Sequence, residues 1–181
     1  MDGIADDSTF STKGLTGTLI YMDATKGWSL INDDETTQLG AQYVAATGGN
    51  TTATCGNFKI HTFTGPGTLC VSSAGNSAGS NTVSYMVVAG GGGAGGDTGG
   101  GGGAGGFREG LGLNDSYTGS PLRNPTGVPV SVQGYPITIG AGGAASPSGN
   151  AAPAGGTGSQ SIFSTITSAG GGGGAGGASP H

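Results

Sequence analysis

The sequence predicts an all-β fold of short strands and hairpins plus a glycine-rich polyglycine-II helix bundle, with little or no α-helix. Three observations lead there. Of 181 residues, 44 are glycine, against a usual share of roughly 7%, and they are gathered into tracts. Between the tracts lie short segments rich in β-branched and aromatic residues, bounded by turn residues. No segment places apolar residues at the 3.6-residue spacing of an amphipathic helix.

Read in order, residues 15–22 (LTGTLIYM) and 28–31 (WSLI) flank a turn-rich stretch and predict a first hairpin, followed by a short strand at 42–46. Residues 57–64 (NFKIHTFT) and 68–72 (TLCVS) flank Gly65-Pro66-Gly67 and predict a second hairpin. Residues 82–88 (TVSYMVV) read as one strand that runs straight into glycine. Residues 128–132 and 136–139 flank Gln133-Gly134 and predict a third hairpin, with Pro129 and Pro136 confining its strands to an edge or a strand start. Residues 161–167 (SIFSTIT) predict a last strand, again feeding glycine. The chain thus divides into an N-terminal hairpin and attachment segment (1–50), a strand region (51–88) and a glycine-rich polyglycine-II domain (89–181).

The tracts repeat. Residues 89–96 read AGGGGAGG, and both 99–106 and 170–177 read GGGGGAGG. Ala94, Ala104 and Ala175 hold the sixth place of each octad. A flexible linker would mix serine freely with glycine, so the fixed alanine points to shape. Leu, Ile, Val and Phe together number only 29, too few for a thick core. Charged residues make up 8% and the net charge is −5, too little to keep the chain expanded by self-repulsion. Backbone hydrogen bonds must therefore supply what side chains do not. Polyproline-II geometry has three residues per turn and no internal hydrogen bonds, so packed helices of this kind bond to one another, and only glycine lets their backbones meet. The structural positions are Gly90, Gly91, Gly92, Gly93, Gly99, Gly100, Gly101, Gly102, Gly103, Gly170, Gly171, Gly172, Gly173 and Gly174. Valine at Gly101 or Gly172 is expected to unfold this half.

At these residues the sequence resembles a known family. Tyr85 to Ala89 before polyglycine, Gly105-Gly106-Phe107-Arg108, residues 134–143 (GYPITIGAGG), 158–163 (GSQSIF) and 167–172 (TSAGGG) look like the glycine-rich domain of bacteriophage tail-fibre and related virion appendage proteins. Residues 20–28 (IYMDATKGW) and 55–63 (CGNFKIHTF) resemble segments that precede that domain. The resemblance spans roughly residues 15 to 177. It implies a non-enzymatic structural protein on the exterior of a phage particle, as tail fibre or capsid appendage. Its expected partners are two further copies in a homotrimer, other virion structural proteins, and a host-surface glycan or outer-membrane protein. The usual particle-anchoring region is not identifiable, which suggests a fragment or a short accessory fibre. The competing readings are a secreted polyproline-II-type ice-binding protein, disfavoured by the irregular octads, and a cell-surface or extracellular adhesin.

Residue chemistry points away from other classes. The five Lys and Arg are scattered and form no stripe to neutralise phosphates, so nucleic acid is not an expected partner. No apolar run reaches the ~18 residues of a membrane span, so no membrane insertion is expected. The first ten residues carry Asp2, Asp6 and Asp7 and lack the basic and apolar stretches of a secretory leader. No tract is followed by the Lys-Ser/Thr of a phosphate loop, and none opens a helix that could bind a dinucleotide. Cys55, His61 and Cys70 are too few and too dispersed for tetrahedral zinc. Asp33-Asp34-Glu35 lacks EF-hand spacing and reads as a solvated loop. No acid–base pair or nucleophile elbow is present, so the chain is expected to be no enzyme and to need no cofactor or metal. Cys55 and Cys70 are the pair available for one disulfide. Residues 107–125 (FREGLGLNDSYTGSPLRNP) form a long, turn-rich loop, and such loops on rigid scaffolds often bind. Its Arg108, Tyr117 and Arg123 are the candidate receptor contacts.

Overall fold

A computed structural model describes residues 18–23, 27–31, 41–112, 115, 118–147 and 153–177. Among them there are thirteen short strands and no helix, as expected. β1 (Thr18–Asp23) and β2 (Gly27–Ile31) pair antiparallel as the first predicted hairpin. Next come β3 (Val44–Thr47), β4 (Thr51–Cys55), β5 (Phe58–Thr62) and β6 (Gly67–Ala74). β7 (Thr82–Val83), β8 (Tyr85–Val88) and β9 (Phe107–Gly110) follow. The last are β10 (Val128–Pro129), β11 (Gly134–Thr138), β12 (Ser161–Phe163) and β13 (Ile166–Ser168).

Several expected pairings are replaced by others. β5 pairs with β4 and leaves β6 free across Gly65-Pro66-Gly67. β6 instead sits between β3 and β11 in a five-stranded sheet of order β13-β12-β11-β6-β3. The reason is apolar alternation: β6 buries Leu69 and Val71, while β4 and β5 are exposed almost throughout. Cys70 therefore opposes Thr47 and Gly134 rather than His61, which opposes Thr52 and donates a 2.7 Å bond from Nδ1 to the Gly48 carbonyl. The third predicted hairpin also divides, since β10 pairs with β7 and β11 with β6 and β12. The strand expected at 82–88 breaks into β7 and β8, which join different sheets. That expected at 161–167 folds back as the β12–β13 hairpin, with Ser164 at φ 55° in its turn.

Pro136 lies in an interior strand, not at an edge. Antiparallel pairs alternate between hydrogen-bonded and non-bonded, and the Val71 N–H to Gln133 carbonyl bond (2.9 Å) sets the phase. Pro136 opposite Thr68 then falls in a non-bonded pair, its nitrogen turned away from β6. On that side β12 pairs only with Ile137 and Thr138, so no ladder bond is lost.

The apolar core is small and sits where the sheets meet. Leu69, Val71, Tyr135, Ile137 and Phe163 come from the large sheet, Tyr85 and Val87 from β8, and Val128 and Val130 from β10 and the residue after it. Phe163 takes Tyr85 and Tyr135 edge-on, at centroid distances of 6.4 and 6.2 Å. The Tyr135 hydroxyl accepts the Ser131 N–H at 2.8 Å and the Gln133 Nε2 at 2.9 Å. These contacts draw on residues both before and after position 88, and β6 and β11 share a sheet across it.

Beyond the core, five segments carry neither strand nor helix: 89–96, 99–106, 140–147, 153–159 and 169–177. Each continues a strand at one end, namely β8, β9, β11, β12 and β13 respectively. They are bonded to one another through backbone N–H and C=O groups at 2.7–3.5 Å, and donors recur every third residue. Gly90, Gly93 and Gly96 donate to Ser159, Gly156 and Pro153. Gly100, Gly103 and Gly106 donate to Ala175, Gly172 and Ala169, and Gly171, Gly174 and Gly177 donate to Gly90, Gly93 and Gly96. Segment 89–96 bonds all four others. It turns into 99–106 through Asp97, at φ 54°, and a Gly99 N–H to Gly96 carbonyl bond of 2.9 Å.

The same three-residue rhythm sorts the glycines. A Cβ at Gly90, Gly92, Gly93, Gly102, Gly105, Gly170 or Gly173 would overlap the backbone of a neighbouring segment. At Gly101 and Gly172 it would meet nothing within 4 Å, and at Gly91 nothing nearer than 3.5 Å. The expectation that a side chain at Gly101 or Gly172 breaks the packing is thus corrected: both are exposed. Ala94, Ala104 and Ala175 lie three residues on from Gly91, Gly101 and Gly172 and are exposed as well. The constant alanine of the octads marks the outward position.

Candidate functional site

β8 and β9 form the arm from which segments 89–96 and 99–106 extend. After β9 the chain loops back, and its return, residues 118–124, is bound along the outer side of β9. The Asn124 N–H donates to the Glu109 carbonyl at 2.8 Å and the Leu111 N–H to the Asn124 carbonyl at 3.2 Å. Glu109 Oε2 accepts the Ser120 N–H at 2.8 Å. Ser120 then organises the turn: its Oγ accepts the Leu122 N–H at 3.2 Å, and its carbonyl accepts the Arg123 N–H at 3.0 Å and Arg123 Nη1 at 3.2 Å. A Cβ at Gly119 would press on Arg123 Cδ at 2.7 Å, so the glycine lets the arginine side chain lie close against the loop.

Between loop and strand lies an open cleft of about 450 Å³, lined by Tyr85, Phe107, Arg108, Glu109, Ser120, Leu122, Arg123 and Asn124. Two of the three expected receptor contacts, Arg108 and Arg123, therefore line one cleft although fifteen residues separate them. Tyr117 lies outside the described residues. Among the described residues neither arginine makes an ion pair, and Arg123 Nε is buried without a hydrogen-bond partner. Glu109 is the one carboxylate in the lining, and one of its oxygens is held by the loop. Phe107 (50% exposed) and Leu122 (93%) supply an apolar rim. Phe107 opposes Val88 and Glu109 opposes Met86, so Val88 and Met86, both exposed, extend that rim on the outer face of β8.

The sequence singles out residues 107–125, which supply seven of the eight lining residues, whereas Tyr85 joins them only through the β8–β9 register. Cys55 and Cys70 are both free, exposed thiols in different sheets and form no disulfide. Among the described residues no group of three or more His, Cys, Asp or Glu could hold a metal ion, and no helix is long and apolar enough to cross a membrane. Asp33-Asp34-Glu35 lies outside the described residues.

A small β scaffold carrying mutually bonded glycine segments defines the class. The chain belongs to the glycine-rich domain family, which matches residues 68–181. No curated protein and no solved structure matches it.

Proposed function

We propose that the chain is a non-enzymatic structural module whose glycine segments are polyglycine-II helices, packed as a rigid end-piece on the β core, and that it serves in a virion appendage at host attachment. The observation that supports this most is the three-residue period of the hydrogen bonding between five glycine-rich segments. Three residues per turn is the period of the polyproline-II helix, whose backbone groups all point outward. None of the octad glycines lies at positive φ, consistent with the left-handed helix of that geometry. Bonds link segment 89–96 to each of the others and also link 99–106 to 169–177, 169–177 to 153–159, and 153–159 to 140–147. Triangles of mutually bonded helices follow, as in a close-packed lattice.

A lattice of this kind is stiff at small side-chain cost, which suits a part that must hold a loop away from a particle. The virion role rests on the resemblance of the sequence blocks around the tracts. Partner copies in a trimer, other virion proteins and a surface glycan or outer-membrane protein belong to the same proposal. Gold-labelled antibody raised against the chain should decorate appendages of particles made by the genome that encodes it, and should block their adsorption. Unlabelled particles contradict the virion reading.

A further inference from the structure

We infer that the cleft between β9 and residues 118–124 binds an anionic group carried on a saccharide, a carboxylate or a phosphate, through Arg108 and Arg123; this rests on the attachment reading above. Two independent observations point there. In a chain with net charge −5, two of only five Lys and Arg line one cleft. Neither has an ion pair among the described residues, and Arg123 Nε is buried without an acceptor. A guanidinium donor removed from water and left unbonded is costly, the more so for a charged group. The Ser120 carbonyl takes one Nη1 hydrogen and fixes the head, and Nε is buried, which leaves Nη2 as the donor for a ligand. A planar guanidinium suits carboxylate and phosphate oxygens alike, because it can donate two parallel bonds.

The rest of the lining selects the carrier. Phe107 and Leu122 offer apolar surface to a sugar ring, and Ser120 and Asn124 offer hydroxyl and amide groups to its hydroxyls. In its lining the cleft sets Tyr85, Phe107 and Leu122 beside polar or charged Arg108, Glu109, Ser120, Arg123 and Asn124, and so offers both kinds of surface to one ligand. Its ~450 Å³ fits one or two sugar units. A nucleic acid strand is disfavoured, since two cations on an acidic chain neutralise too little of a phosphate backbone.

The purified full chain tests this by calorimetric titration with polygalacturonate, with phosphomannan and with neutral dextran. Binding to either acidic polymer and not to dextran is expected, and the two arms separate carboxylate from phosphate. Arg108→Ala should weaken it at least about tenfold, since bonds to charged groups are the stronger kind, with the melting temperature unchanged because the side chain is exposed. Arg123→Lys keeps the charge and should retain only part of the affinity. Equal binding to dextran, no binding to either acidic polymer, or unchanged affinity in Arg108→Ala each overturns the inference. Because this is read on the isolated chain, its failure leaves the particle-labelling result standing, and the reverse holds too.

Discussion

Gly93 and Gly101 are identical in the sequence and opposite in the fold. A methyl group at Gly93 would overlap the backbone around Ala144, whereas one at Gly101 would meet open space. Gly93→Ala should therefore cost at least the ~1–3 kcal/mol of an overpacked site, and more if its bonds to Gly156 and Gly174 break. Gly101→Ala should be neutral or stabilising by up to about 1 kcal/mol, because alanine narrows the unfolded ensemble. Paired urea melts check both, and equal destabilisation would contradict the inward–outward assignment. Octad repetition announced that these residues were structural, but the facing of each became visible only once the partner segments were in place. Tyr135 gives a second test. The Ser131 hydroxyl, the Ser131 N–H and the Gln133 side chain hold its phenolate and lower its pKa below the ordinary 10.0. A lowered acid in the folded state adds stability as pH rises through that value, complete above the unfolded value near 10 and absent below the folded one. Tyr135→Phe should remove this rise and the phenolate absorbance change that goes with it. A titration identical to wild type would count against it.

The strands show where sequence reasoning stops. β1–β2 was legible because its partners are neighbours in sequence and its turn is short. Leu69 and Val71 of β6 found Tyr135 and Ile137 of β11, far along the chain, because the alternating buried face had to be covered. Turn residues at Gly65-Pro66-Gly67 mark a change of direction and do not name a partner. The β12–β13 hairpin was hidden because Ser164-Thr165 is a tight turn without glycine or proline, its strain held at Ser164. At the junction of strand and glycine, Ser161 and Ser168 oppose each other and are fully buried. Ser161 Oγ accepts the Gly140 N–H at 2.9 Å. Ser161→Ala leaves that half-buried donor unsatisfied and should cost about 1 kcal/mol, read as a lower urea midpoint with unchanged slope. An unchanged midpoint would show that the hydroxyl is not holding the start of segment 140–147.

Taken whole, the molecule divides its stabilisation between two kinds of interaction. A modest apolar core joins the sheets, and a bonded set of glycine segments extends from them. Composition foretold both halves: few large apolar residues limit the core, and clustered glycine requires bonds between backbones to offset its entropy on ordering. The cleft was legible only in part, because residues 107–125 stood out while the β8–β9 register that shapes the pocket did not. Amide hydrogen exchange of the native chain, resolved residue by residue, decides whether the glycine segments are bonded helices. The N–H groups of Gly92, Gly93, Gly103, Gly171 and Gly174 are donors and should exchange slowly, while those of exposed Gly101, Gly102 and Gly172 donate to no backbone carbonyl and should exchange fast. A three-residue period of slow amides, two adjacent donors per period in 89–96 and one in 99–106 and 169–177, is the predicted result; uniformly fast exchange through all three octads would contradict it.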